Sequence, residues 1–397
     1  SQPFLVAEVF TGKPGEITSF DVHVAGTVAS WQMYQMVYET LLTTNENFEL
    51  QPGLAKSWEQ ESPTSYVFRL REDAAFSNGR GVTARDVIGS IKRITNPETA
   101  SYWARQFGTI AAMEAIDEHT LRIRLEKPHT AFLPALAHIT AAIIPIKEYE
   151  EGSFDPTSEM MGSGPFKVVE HKQDESWALE RNPHYWRDGH PRADRLEAPI
   201  IPDESARVAA LRDGRIDFTT FSNPDIVRMV GNNPNIEVES QQTTNYYRVD
   251  VNALSEESPF HDKRVRQAMN LALDRDAIAE IVFAGTTEVD YPVPAAFGKD
   301  ACRDLPTYAW PRERRLEKAR SLLEEAGVEN PEVGLIATPA NPMFPRIAQV
   351  MQQSLSDIGM EVEILQQPMA EYLDKVFTKG DFDMALSWLA GYTDPTM

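Results

Sequence analysis

Segments with an apolar period of two alternate along this chain with apolar stripes at helical spacing, and the alternation continues for 397 residues. A single hydrophobic core stops growing before that length, so the pattern predicts mixed α/β structure divided into two or more lobes. Tyr66-Val67-Phe68-Arg69-Leu70 is apolar on one side, and Leu121-Arg122-Ile123-Arg124-Leu125 repeats this with its charges on the opposite face. Both predict half-buried strands. We expect residues 51–156 to form a small subdomain carrying them, inserted between two parts of the first lobe, 1–50 and 157–245. Residues 246–397 make the second lobe, and the polar run 241–247 is the weakest joint by composition.

The second half carries the clearer helices. Leu316, Ala319, Leu323 and Ala326 share a face and are followed by Gly327, which suits a left-handed helix end. Ile347, Met351, Leu355 and Ile358 repeat the arrangement before Gly359, after which Val362 and Ile364 alternate with Glu361 and Glu363 as a strand does. Asp262 and Asp274 are placed to cap helices bearing Val265, Met269 and Ala272, then Ile278 and Ile281. These stripes are core packing and imply no cofactor.

Several function classes are excluded or disfavoured by content. With 38 Lys+Arg against 60 Asp+Glu the net charge is −22, a field that repels phosphate backbones and anionic membranes, so no nucleic-acid partner is expected. The acidic residues are spread along the chain, as on a solvated surface. Apolar runs such as 141–146 are too short to span a bilayer. The start, Phe4-Leu5-Val6-Ala7, has no basic flank and reads as the first strand of a mature chain, without a secretory signal before it. Cys302 is the single cysteine, which excludes an internal disulfide and a Cys-rich zinc site.

The sequence contains no G-x-S-x-G elbow, H-E-x-x-H pair, P-loop or G-x-G-x-x-G fingerprint. Gly162-Ser163-Gly164-Pro165 has a proline where a phosphate loop needs amide donors, so it reads as a tight turn into the strand beginning at Phe166. The eight histidines are scattered and are read as surface or turn residues; His184 and His190 straddle an aromatic turn. No catalytic metal, nucleotide or other cofactor is expected. Carboxylates are too many for an acid–base pair to be singled out.

Taken in order, the motifs resemble the peptide/opine/nickel solute-binding proteins of ABC importers, known as family 5. They begin with Val37-Tyr38-Glu39-Thr40-Leu41, Leu54-Ala55-Lys56-Ser57-Trp58, Phe76-Ser77-Asn78-Gly79 and Thr83-Ala84-Arg85-Asp86-Val87. Gly162-Ser163-Gly164-Pro165-Phe166, Arg181-Asn182-Pro183-His184-Tyr185-Trp186 and Ala210-Leu211-Arg212-Asp213-Gly214 follow. The most specific stretch runs from Pro259-Phe260-His261-Asp262-Lys263-Arg264-Val265-Arg266 to Asp274-Arg275, and the series ends at Gly380-Asp381-Phe382-Asp383, Trp388 and Asp394-Pro395. These motifs identify a fold more than a pocket: Tyr185 and Trp186 are read as a packed aromatic turn, Arg264 and Arg266 as ion-pair members of the second lobe.

The resemblance implies a two-lobed periplasmic-binding-protein-like fold with an extra subdomain on the first lobe. It also implies a non-enzymatic, monomeric, periplasmic or cell-surface protein that encloses a small peptide-like, opine-like, sugar or other metabolite ligand between closing lobes and docks on permease subunits. A ligand sensor without transport and a carboxylate-based hydrolase are the competing readings. Dipeptide binders of the family place an arginine where this chain has Thr338, just before Pro339-Ala340-Asn341-Pro342, and an aspartate where it has Gly391; nickel binders place a histidine where it has Thr396. A standard dipeptide or nickel–histidine ligand is therefore not expected. For the pocket we single out the loop His23, Val24, Ala25, Gly26 and Thr27 with Trp31 from the first lobe, and Tyr246 and Tyr247 near the crossing. Thr338, Asn341, Trp388, Tyr392 and Asp394 complete it from the second lobe. Core packing is an equal alternative for Trp31 and Tyr246. Family chains run on past the Asp-Pro and return to the first lobe, a segment not found before Met397.

Overall fold

The two clearest period-two segments lie side by side in the computed structural model, which describes residues 8–240, 243–287, 289 and 306–389. Strand β5 (Ser65–Leu70) pairs antiparallel with β7 (Thr120–Leu125), setting Tyr66 against Ile123 and Phe68 against Leu121. Hairpin partners β4 (Ala55–Ser62) and β6 (Ile110–Asp117) complete a four-stranded sheet in the order β4-β5-β7-β6. Val67 departs from the alternation, being buried on the same strand face as exposed Arg69. The apolar face covers a core reaching from Leu41 to Ile143, with Phe68, Phe76, Trp103, Phe107 and Phe132 fully enclosed. A short hairpin, β2 (Leu42–Thr44) with β3 (Leu50–Pro52), leads into this sheet.

A second core gathers Tyr34, Tyr38, Phe154 and Trp177. It lies with a five-stranded sheet, ordered β11-β1-β10-β9-β8. Here β1 (Glu8–Gly12) runs parallel to both β10 (Arg195–Pro199) and β11 (Phe218–Thr219). Strand β9 (Ser176–Arg181) is antiparallel to β10 and to β8 (Phe166–Lys172). The glycine turn before β8 is structural, as its sequence indicates. The Gly164 amide donates to the Val37 carbonyl at 2.9 Å, and a Cβ on Gly162 would sit 2.2 Å from that same oxygen. Only glycine permits so close a backbone approach. Asn182 fixes the turn, its side-chain amide donating to the Gly164 carbonyl at 2.9 Å.

The remaining sheet is ordered β12-β15-β13-β14. Strands β13 (Glu332–Ile336), β14 (Glu361–Leu365) and β15 (Met384–Leu389) are parallel where they pair, while β12 (Tyr246–Val251) is antiparallel to β15. The helical stripes pack against it: Val265, Met269, Ala319, Leu323, Ile347, Met351 and Leu355 share one buried cluster. Asp262 and Asp274 cap their helices, accepting from the amides of Arg264 and Ala277, and Gly327 and Gly359 take the left-handed conformation with φ of 71° and 78°. Arg264 pairs with Asp262 at 2.5 Å. Arg266 differs from its expected ion pairing: it donates to the carbonyls of Phe260 and His261, which leave the preceding turn with their oxygens pointing at it.

Among the described residues the chain forms two compact units, one running to Phe221 and taking in Asn233–Glu237, the other made of Ser222–Asn232 and the chain from Val238 to Leu389. Between 221 and 238 the backbone changes unit three times. The helix Pro224–Gly231 goes with the second unit, where Asp225 lies 3.5 Å from Arg346. The expected strand at 4–7, Cys302, Tyr392 and Asp394 lie outside the described residues.

Candidate functional site

In an α/β sheet with parallel strands, ligands bind beyond the carboxyl ends of the strands, where loops diverge and the backbone offers free donors and acceptors. In the second unit that end is well defined. β13, β14 and β15 share a direction, and antiparallel β12 begins there, so Tyr246 and Tyr247 join the loops that follow the other strands. Tyr247 lies directly across from Trp388, Thr338 comes two residues after β13, and Gln367 two residues after β14.

The side chains at this end divide into spent and available groups. Tyr247 packs its ring against Phe283 and Phe344, at 5.1 and 6.0 Å between centroids, and its hydroxyl engages Asn341. Burial pushes the Tyr247 phenol above its ordinary range, with the Asn341 contact working against the shift. Asn341 also accepts from the Met343 amide at 3.0 Å, closing the first turn of the helix Met343–Ser356. Both are therefore committed to structure. Thr338 is fully buried, and its hydroxyl oxygen accepts from the Ala340 amide at 3.4 Å. Trp388 is 38% exposed, a large apolar ring kept partly in the open. On the opposite strand face a polar chain is already closed: Tyr372 donates to Ser387 at 2.9 Å, and Ser387 donates to Asp250 at 2.5 Å. Arg248 pairs in charge with Asp250 at 2.9 Å, though the Nε hydrogen is not aimed at an acceptor.

Gln367 is a residue that sequence patterning does not single out. It is 9% exposed, and its amide oxygen has no donor among the described residues. A buried acceptor left unmet costs about 1–3 kcal/mol, so such a group calls for an explanation. Its only sequence signal is a polar pair, Gln366-Gln367, placed where the alternating strand β14 meets a helix opened by Pro368.

In the first unit the loop His23–Thr27 leads into the helix Val28–Val37, with Thr27 as its cap. Gly26 and Thr27 are exposed, Val24 is half-buried and Ala25 is buried, its carbonyl accepting from the Trp31 indole at 3.2 Å. Trp31 also stands edge-on to His138 at 4.9 Å. His23 is enclosed, a correction to the reading of all eight histidines as surface or turn residues. Arg93 donates to its Nδ1 at 2.8 Å, so Nε2 carries the hydrogen and donates to the Ala142 carbonyl at 2.8 Å. Burial and the Arg93 charge push the ring down to about 4. His138 is buried too, stacked on Trp103 at 3.9 Å, and loss of hydration pushes it down to about 3. Among the described residues no three His, Cys, Asp or Glu side chains are grouped to hold a metal ion.

These shifts set a pH dependence. A histidine held below its unfolded value of about 6.5 contributes stability above that pH and loses it as pH falls toward the folded value. Glu39 runs the other way: burial raises it to about 7 despite bonds from Trp186 and Ser163, so it contributes stability at low pH that is lost as pH rises through 7. Two histidines outweigh one carboxyl, so the melting temperature is expected to fall between pH 6.5 and 4.5. His138→Asn should lose less over the same interval. Equal slopes for the two proteins in scanning calorimetry would contradict the assignment.

The two units, the sheet pattern and the loop-built strand ends define a two-lobed α/β protein of the periplasmic-binding-protein kind. The family model "Bacterial extracellular solute-binding proteins, family 5 Middle" matches residues 49–397. The chain belongs to this family, the solute-binding components of ABC importers. It is 29% identical over 410 residues to the periplasmic oligopeptide-binding protein OppA of Escherichia coli K12, covering 96% of this chain and 74% of OppA. It is 25% identical to the glutathione-binding protein GsiB of that strain, covering 95% and 73%. Among solved structures, AgaA of Agrobacterium tumefaciens in complex with agropinic acid matches with a TM-score of 0.77 and 26% identity, covering 98% of this chain and 78% of AgaA. Helicobacter pylori DppA in complex with the peptide STSA gives 0.80 and 25%, covering 98% and 79%. No helix among the described residues is long and apolar enough to cross a membrane.

Proposed function

We propose that the ligand is a short peptide or a peptide-like metabolite other than an ordinary free dipeptide, held in part by Trp388 and Tyr392 and passed to an ABC permease without chemical change. The protein acts outside the cytoplasmic membrane, in the periplasm or at the cell surface. The observation that carries the reading is the chemistry at Thr338. A zwitterionic dipeptide taken out of water needs a charged partner for each end. Thr338 offers a neutral hydroxyl, and Arg248 on β12, two strands across the sheet, is already matched by Asp250. The peptide and opine ligands of related proteins support the peptide-like class.

Calorimetric titration tests this with unmodified dipeptides, the tetrapeptide Ser-Thr-Ser-Ala and agropinic acid. Binding is expected among the last two and not among the dipeptides. Sub-micromolar affinity for several dipeptides would show that their charged ends find partners elsewhere. Recovery of intact ligand by mass spectrometry is expected, and conversion to product would point to an enzyme.

A further inference from the structure

Five buried polar side-chain atoms lack a hydrogen-bond partner among the described residues. Three are the Nε atoms of Arg93, Arg207 and Arg315, whose terminal nitrogens are already bonded to Asp21, to the Ile201 carbonyl and to the Leu273 carbonyl respectively. An arginine so held tolerates one idle N–H. The other two lie in the sheet whose carboxyl end forms the candidate site: the Nε of Arg248 on β12, and the amide oxygen of Gln367 just beyond β14. Gln367 is the one unmet acceptor among the five.

Gln367 and Thr338 occupy matching places. The last paired rung of β13 and β14 joins Ile336 to Leu365, and each residue stands two positions further along its strand. Both are buried, and neither carries charge. A carboxylate brought here would meet the oxygen of Gln367 with nothing to neutralise it. A group bearing N–H or O–H would complete the unmet bond.

We propose that Gln367 is a specificity-determining residue that accepts a hydrogen bond from the bound ligand; the Arg248 Nε, 2.9 Å from Asp250 and on the far edge of the sheet, takes no part. This end of the sheet then reads an uncharged amide. The inference rests on the peptide-like reading above. An unmet buried acceptor weakens the empty protein and is relieved only by a donor. A residue kept for ligand recognition therefore lowers stability in the empty state, whereas a structural residue raises it.

The test is a pair of variants, Gln367→Leu and Gln367→Glu, each measured empty and with Ser-Thr-Ser-Ala or agropinic acid. Gln367→Leu removes the acceptor at similar volume, so the empty protein should melt higher while affinity for the binding probe falls about tenfold or more. Gln367→Glu keeps an acceptor at similar volume but is buried as a neutral carboxyl, so it should lose less affinity than Gln367→Leu. A lower melting temperature for Gln367→Leu with unchanged affinity would make the residue structural and overturn the inference. If neither probe binds the wild-type protein, the peptide-like reading fails and takes this inference with it. Binding of a probe that is indifferent to both variants overturns the inference alone.

Discussion

Replacing Arg93 by alanine is expected to cost the first lobe about 3–5 kcal/mol of stability. Arg93 grips Asp21 with two nitrogens, at 2.9 and 2.5 Å, and the same guanidinium donates to His23. Asp21 is 5% exposed and His23 fully enclosed, so the alanine variant leaves the carboxylate out of water with its charge unmatched and only the His23 amide donating to it, and the His23 Nδ1 without its Arg93 donor. That loss, more than the value of the ion pair, sets the size of the effect. Arg93 also joins the helix Ala84–Thr95 to the loop that begins the His23–Thr27 stretch, so the variant should loosen that loop. Urea denaturation followed by tryptophan fluorescence provides the measurement. The double variant Arg93→Met with Asp21→Leu should recover most of the loss, because it removes both charges together. A single-variant effect below about 1 kcal/mol would mean that water reaches this cluster and the pair behaves as a surface one.

Trp388→Ala should weaken ligand binding by about 2–3 kcal/mol, roughly 30- to 150-fold, with little change in melting temperature. Neighbouring inward-facing residues of β15, Met384 and Leu386, are buried in the core, whereas Trp388 on the same strand face keeps 38% of its surface open. A core tryptophan truncated to alanine loses several kcal/mol of folding stability. A half-open one loses less on truncation and has more to gain from a ligand laid against it. Stability that drops while affinity holds would place Trp388 in the core and remove it from the site.

Much of the fold is legible because side-chain period and capping act locally. The Tyr66–Leu70 and Leu121–Leu125 segments announce a face at each second residue, and the Asp262 and Asp274 caps need only an acceptor one turn before the apolar stripe. The burial of His23 and His138 is not legible. Each depends on a partner distant in the chain: Arg93 lies 70 residues from His23, and His138 is stacked on Trp103. Arg266 misleads for a related reason, since a guanidinium satisfied by backbone carbonyls leaves no trace in the pattern of opposite charges. At the candidate site, Tyr247 and Trp388 are legible as aromatics beside family motifs. Gln367 is not, because an unmet acceptor is defined by what fails to surround it.

The pairing of β12 with β15 has a consequence for how the protein is made. Tyr246 meets Leu389 across the sheet, so the strand that opens the second unit must wait for its partner until about 140 further residues have been synthesised, at 5–20 residues per second roughly 7–30 s. Strand β1 likewise waits for β10, its neighbour in the first sheet. Until then each presents an unpaired edge, the form of chain most open to mispairing. The sheet β4-β5-β7-β6, whose strands all fall between residues 55 and 125, carries no such delay and can close while the other two sheets still wait for their last strands.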